Sequence, residues 1–340
     1  MPYNFNLPII TDLTTAQQSA LNDPGAISVS GGPGTGKSVV SLWRHIRNYN
    51  IGTKRSLLLT YTVTLAKYLS SAVADENLEA SQNVKRTYYW IEHEQEDFDE
   101  IIIDEAQDVE PLKYKSIINH APIISYGADD QQIIFPEQCT KEIELERMFP
   151  HNEPYLLDEN FRNSLQIMRF VRSTLPGKLI TQTTFNILLR KNRTGNKPIV
   201  LLTDGYSAKQ DKGIIDIINR FRSANHNIAI LSPFKKGVNY FHDLIERAKI
   251  PCSKYVNDDD DLPLIENVHV TTFKSCKGTE FDTVIIPDFQ KMKYNLRYMF
   301  VTEENDYYVA FTRAKRNLFL LSSSVPGFIH SSTFDIEELK

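Results

Sequence analysis

A chain of 340 residues, 41% apolar and 24% charged, has room for two domains of ordinary size, and its makeup excludes a disordered or fibrous protein. Its net charge of −5 argues against a surface coated in basic charge for non-specific nucleic-acid binding, while leaving a locally basic groove compatible. No apolar run approaches the ~20 residues that span a bilayer, no basic region precedes an apolar one at the N-terminus, and Cys139, Cys252 and Cys276 are spaced for neither a disulfide framework nor zinc, so a reducing, cytoplasmic setting without membrane contact is expected.

Short apolar strands alternate with amphipathic helical stretches along most of the chain, the pattern of a parallel α/β sheet. Residues 26–30 (AISVS) read as a strand, followed by a Gly-rich turn and a helix over about 38–48. Residues 56–60 (SLLLT) form the next strand, with a helix across 64–72. Residues 99–105 (DEIIIDE) and 122–126 (PIISY) are continuously apolar, as buried strands are. EPYLLDEN then leads into a helix beginning near Ser164, and the boundary between two domains, 1–158 and 159–340, is placed here. A second series follows, with strands at 198–202, 228–232, 268–273, 282–287 and 317–322 and helices at 213–222 and 238–248. The acidic run NDDDD, 257–261, reads as a solvated loop because like charges repel.

GGPGTGKS, Gly31 to Ser38, fits G-x-x-x-x-G-K-[ST] and lies between a predicted strand and a predicted helix, the context that pattern requires. Gly32, Pro33, Gly34, Thr35 and Gly36 would wrap backbone N–H groups around phosphate oxygens at the positive end of the helix. Lys37 would neutralise the β- and γ-phosphates of ATP, and Ser38 would coordinate Mg²⁺. Asp104 and Glu105 close an apolar strand, at the end where open α/β sheets bind ligands. Asp104 is suited to hold Mg²⁺ and Glu105 to polarise the attacking water, which favours hydrolysis over storage of the nucleotide.

Further strings follow in order: LTTAQQSAL, LLLTYTVTLAKYL, TYYWI after Arg86, DEAQD, YGADDQQII, LDENFRNS, VTTFKSCKGTEFDTVIIP and YVAFTRAKRNLFL. Together they resemble the motifs of superfamily 1 helicases of the UvrD/Rep kind, over nearly the whole chain. The resemblance implies two RecA-like lobes. In the first, Gln17 would sit on the adenine edge, Gln107 would join the phosphate-sensing network, and Gln131 would read the γ-phosphate. Tyr61 would stack on a base and Thr62 touch a phosphate, with Thr87 lining the same strand path; core packing is the competing account of Tyr61. In the second lobe, Gly278 and Glu280 would face the nucleotide and ribose. Arg162 and Arg313 would stabilise charge spreading over the γ-phosphate in the transition state. Lys274 and Lys277 are candidate strand contacts, whereas Lys235 and Lys236 read as a solvated turn.

Departures from that pattern are specific. Ala128 stands where an acid usually follows the glycine, with Asp129 and Asp130 next. Val63 and Thr64 replace an Asn-Lys pair, Lys274 a histidine and Thr279 a leucine, and Phe135 is the nearest aromatic for stacking after DDQQ. The short spacings between motifs leave no room for large accessory subdomains. The expectation is an ATP-dependent motor on single-stranded nucleic acid, preferably DNA, moving 3′ to 5′ if the family polarity holds. The alternative is an ATP-gated DNA-sensing subunit working with a partner such as a nuclease in antiphage defence. A kinase or GTPase is disfavoured, since no N-K-x-D string is present.

Overall fold

The computed structural model describes residue 3 and residues 7–203, 207–256, 265–299 and 302–339; the acidic run 257–261 lies outside them. The chain divides into two compact units, residues 5–161 and residues 162–340 together with 1–4.

The first unit contains strands β1 (Ile27–Ser30), β2 (Ser56–Thr60), β3 (Val84–Arg86), β4 (Glu100–Ile103), β5 (Ile123–Ala128) and β6 (Glu153–Leu156). Its helices are α1 (Thr15–Asn22), α2 (Lys37–Ile51), α3 (Val63–Ala74), α4 (Leu78–Gln82), α5 (Thr87–His93), α6 (Tyr114–Ile118) and α7 (Glu142–Met148). The strands lie in the order β3-β2-β4-β5-β1-β6, and every pair is parallel. β2 and β4 are buried at every position because helices cover both faces of the sheet. β6 is an edge strand and mostly exposed, and the charged Glu153 at its start suits that place. Leu57, Leu59, Ile101, Ile103, Trp90 and Tyr114 form the core under one face.

The second unit contains β7 (Ile199–Leu202), β8 (Ile228–Ser232), β9 (Ser253–Tyr255), β10 (Val268–Thr272), β11 (Phe281–Ile286), β12 (Ala314–Ser322) and β13 (Asp335–Glu338). Its helices are α8 (Leu165–Thr174), α9 (Gln182–Arg190), α10 (Ser207–Phe221), α11 (Lys235–Arg247), α12 (Met292–Tyr298) and α13 (Glu304–Thr312). This sheet, too, is wholly parallel, in the order β13-β7-β12-β11-β8-β10-β9. Ile214, Ile218, Ile230, Val238, Ile245 and Val270 pack at its centre. The molecule thus has two RecA-like α/β units with helix-flanked parallel sheets, the expected fold class.

Four strands, β3, β6, β9 and β13, have no clear sequence signal. EPYL pairs with β1 as β6, although its single run of apolar residues is short and mostly exposed. β3 and β9 have three residues each, below the length at which a period of two can be seen. TYYWI opens helix α5.

Candidate nucleotide and nucleic-acid sites

Because all strands of the first sheet run the same way, the C-terminal ends of β1, β5 and β4 lie side by side. They carry the glycine-rich loop, Asp129, and the pair Asp104–Glu105 respectively. Ser38, in the first turn of α2, donates from its hydroxyl to Asp104 Oδ2 at 2.8 Å. A hydroxyl beside a carboxylate is a hard-oxygen donor set that suits Mg²⁺. Lys37 is buried, and its ammonium donates to the carbonyls of Gly31 at 2.6 Å and Gly32 at 3.1 Å. It also lies 3.7 Å from Asp129 Oδ2.

The loop is held from two sides. Gly36 has a φ of 91°, which favours glycine, and a Cβ there would come within 2.3 Å of Gln17 Nε2, displacing that amide. Gln17 closes a capping box with Thr14 at the start of α1, accepting from Thr14 N at 2.9 Å. Its amide donates to the Thr35 carbonyl at 2.9 Å. Gly31, with a φ of 146°, sits against the Leu157 carbonyl, which a Cβ would meet at 2.3 Å. Phe161 N donates to the Gly34 carbonyl at 2.7 Å. Pro33 is buried, and Thr35 is buried with its hydroxyl donating to Gly32 O at 2.9 Å. Gly32 has nothing within 4 Å of where a Cβ would stand.

Glu105 follows β4 in the left-handed region at a φ of 57°, a strained setting for a residue with a Cβ. Its carboxylate accepts from Gln107 Nε2 at 2.6 Å, and Gln107 Oε1 accepts in turn from Asp129 N at 3.1 Å. Asp129 accepts from Gln131 N at 3.0 Å and Gln132 Nε2 at 2.6 Å. Asp129 thus links Lys37, the Gln107–Glu105 pair and the Gln131 turn. Asp129, the residue after Ala128, is the acid at the centre of these contacts.

A buried network that sequence reasoning missed secures α2. Glu100, at the start of β4 and fully buried, accepts from Arg44 Nε at 2.6 Å, Asn48 Nδ2 at 2.9 Å and Ser125 Oγ at 2.6 Å. Arg44 and Asn48 lie one turn apart on the helix whose first turn carries Lys37 and Ser38. The signal available was an acid opening a run of three isoleucines, a place where only a paired charge persists.

Among the expected strand contacts, Tyr61 and Phe135 come together. Tyr61 stands edge-on to Tyr88 at 5.7 Å and tilted to Phe135 at 6.0 Å, and all three rings are half-buried. Lys113 Nζ lies 5.3 Å from the Tyr88 ring centre. Thr62 caps α3 by accepting from Leu65 N at 3.1 Å. Thr87 is fully buried and donates to the Thr60 carbonyl at 3.0 Å, so it fastens α5 to β2 instead of lining a surface.

In the second unit, Glu280 accepts from Arg162 Nε at 3.1 Å and from Lys315 Nζ at 3.0 Å. Burial pushes its carboxyl up, but the charges of Arg162 and then Lys315 outweigh this and hold it down at about 2. Asn163, next in the chain, donates to the Thr312 and Ala314 carbonyls at 3.0 and 2.8 Å. Arg313, between those two, is 1% exposed; its Nε donates to Val309 O at 3.0 Å and its Nη1 to Thr279 O at 3.2 Å. Thr279 and Gly278, the latter at a φ of 79°, therefore shape the seat of Arg313. Arg162, just before α8, meets Glu280 in the loop before β11, and Arg313, just before β12, meets Thr279, the neighbour of Glu280.

Lys274 reaches to 4.0 Å from Asp306 Oδ2. Burial raises the Asp306 carboxyl to about 6 despite its hydrogen bond from Glu303 N and the charge of Lys274. Lys277 is buried, whereas Lys235 and Lys236 are exposed and open α11 instead of lying in a turn. His242, Asp243 and Glu246 on α11 present ligand atoms within 4.8 Å of one another, but the two acids are exposed.

A strand, a glycine-rich loop ending in Gly-Lys-Ser and a helix, facing a carboxylate across one intervening strand, define a P-loop nucleotide-binding protein. The chain belongs to the Schlafen group 3 DNA/RNA helicase domain family, whose model matches residues 24–197, about half of the chain. An AAA domain model matches residues 208–325. A probable DNA helicase of Mycoplasma pneumoniae is 24% identical over 246 residues, which cover 67% of this chain and 44% of that protein. The chain thus spans less than half the length of this curated relative. Among solved structures, the PRRSV helicase superposes with a TM-score of 0.44 at 12% identity, over 91% of this chain and 54% of that one. The helicase nonstructural protein 10 of an arterivirus does so with a TM-score of 0.45 at 12% identity, over 92% and 63%. No helix among the described residues is long and apolar enough to cross a membrane.

Proposed function

We propose that the chain is an ATP-dependent motor on single-stranded nucleic acid, of the UvrD/Rep type, with a strand-stimulated ATPase at its centre. The observation that carries the reading is the convergence of Lys37, Ser38, Asp104, Glu105 and Asp129 on one end of one sheet, linked by the Ser38–Asp104 hydrogen bond, by Gln107 between Glu105 and Asp129, and by the Lys37–Asp129 ion pair at 3.7 Å.

Bound Mg²⁺ would supply charge neutralisation at the phosphates, held through Ser38 and Asp104. Lys37 binds the β- and γ-phosphates, exchanging its present carbonyl partners for phosphate oxygens. Glu105, fixed by Gln107 and a strained backbone, orients the attacking water and takes its proton. Asp129 sets the position of Gln131, which senses the γ-phosphate. Gln17 selects the base, and Gly278 and Glu280 border the nucleotide. Arg162 and Arg313 stabilise the charge that develops on the transferred phosphoryl group. Tyr61 and Phe135 stack on bases, while Thr62 and Lys274 touch the backbone, so that nucleotide state and strand grip alternate in a 3′ to 5′ direction.

ATP turnover measured alone, with oligo-dT and with oligo-U tests this reading and chooses between DNA and RNA. Stimulation of about tenfold or more by one of the strands is expected. Turnover that neither strand changes would refute the motor. A gain in turnover without movement along a fluorescently labelled strand would favour an ATP-gated sensing subunit, working with a partner protein such as a nuclease.

A further inference from the structure

Between Glu159 and Asp204 the chain carries eight lysine and arginine side chains and no acidic one, although its net charge is −5. This stretch contains α8, α9 and the approach to β7. Arg169 and Arg172 stand three residues apart on the exposed face of α8, so their charges are neighbours on the helix surface. Lys197 sits just before β7, and the turn bearing His330, Ser332 and Thr333 leads into β13 beside it. These side chains line a cavity of about 470 Å³ whose lining contains no carboxylate.

The lining side chains are held in place by one another and by the core. The Arg172 guanidinium lies 4.1 Å over the Phe185 ring. Ser173 Oγ donates to Phe170 O at 2.9 Å and lies 3.4 Å from Thr333 Oγ1, joining the turn to α8. His330 Nδ1 and Ser332 Oγ are 2.8 Å apart. Lys197 Nζ lies 3.4 Å from Asp335, a mostly exposed carboxylate outside the lining.

We propose that this cavity is a phosphate site that holds the phosphodiester backbone of a nucleic-acid strand, separate from the Tyr61 and Lys274 contacts. Gathering like charges around one cavity costs stability unless an anion joins them. Guanidinium forks and hydroxyl donors match phosphate oxygens in geometry and number. Arg169, Arg172, His330 and Ser332 are accessible to solvent, which admits a chain running past the opening and offers little enclosure to a small free anion.

The test is a titration of fluorescein-labelled oligo-dT and oligo-U by anisotropy at several KCl concentrations, using the wild type, Arg169→Glu, Lys197→Gln and Tyr61→Ala. Arg172 is left intact because it packs on Phe185. Each cavity variant is expected to bind several-fold more weakly and to lower the slope of log K against log salt by about 0.7 for each phosphate that its missing cation had neutralised. Tyr61→Ala should lower affinity with the slope unchanged, and ATP turnover without a strand should be unaffected by the cavity variants. Should Arg169→Glu fail to fold, Arg169→Gln gives the same reading. Wild-type slopes in the cavity variants would overturn the proposal. Phosphorus NMR with inorganic pyrophosphate serves as the second arm: binding abolished in the variants with oligonucleotide slopes unchanged would assign the cavity to a free anion and equally overturn it. These slopes are independent of hydrolysis, so a failure here is distinguishable from a failure of the motor reading.

Discussion

Replacing Glu100 with alanine should destabilise the first unit severely while leaving the second intact. The carboxylate is fully buried and is the shared acceptor for Arg44, Asn48 and Ser125. Its removal strands the Arg44 guanidinium in the interior, where breaking a buried pair costs about 3–5 kcal/mol. Arg44 keeps bonds to the carbonyls of Ala20, Asp23 and Gly25, which places the loss toward the lower end of that range. For a unit of this size that corresponds to a fall in melting temperature of roughly 6–20 °C. Both tryptophans, Trp43 and Trp90, lie in the first unit, so urea unfolding followed by their fluorescence reports on it alone. The double variant Arg44→Met/Glu100→Leu should recover more than half of the loss, because no buried charge remains. A loss below about 1 kcal/mol in Glu100→Ala would refute the account of how α2 is secured.

Glu105→Gln should retain ATP binding and slow hydrolysis by about a hundredfold or more, measured as single-turnover phosphate release, since only the proton acceptor is changed. Arg162→Ala and Arg313→Ala should each slow turnover by roughly 10³, and circular dichroism should show the fold of each retained. Because the Glu280 carboxyl is held down at about 2 in the folded chain, against an ordinary value of 4.5, its stabilising contribution is present above pH 4.5 and is lost as pH falls toward 2. Glu280→Gln should therefore flatten the acid limb of second-unit stability in that window, read by hydrogen exchange of β11 and β12. Tyr61→Ala should weaken oligonucleotide binding by ~1–3 kcal/mol while leaving the nucleotide affinity unchanged.

The long strands are legible because continuous apolar runs such as SLLLT and IAILS have one reading when turn residues bound them, and the sheets place them centrally. The nucleotide loop is legible because Gly31, Gly34 and Gly36 adopt positive φ, a backbone that favours glycine. What stays hidden depends on contacts distant in sequence. Glu100 and Arg44 are 56 residues apart, and nothing local marks them as partners. Thr87 belongs to a string that reads as surface-lining, yet packing turns its hydroxyl inward to Thr60. Arg169, Arg172 and Lys197 gather with His330 only after β13 has docked beside β7. The motif strings point to the UvrD/Rep branch, while the family match names Schlafen group 3; Gly31–Ser38 lies within the residues that match covers, 24–197.

The central claim is that a nucleoside triphosphate is bound by Lys37 and hydrolysed under the control of Glu105. It is tested most directly by measuring fluorescent ATP-analogue affinity and single-turnover hydrolysis side by side in the wild type, Lys37→Ala and Glu105→Gln. The account predicts affinity lost in Lys37→Ala, affinity kept with hydrolysis slowed by about a hundredfold or more in Glu105→Gln, and both present in the wild type. Equal affinity and equal hydrolysis in all three proteins would contradict it.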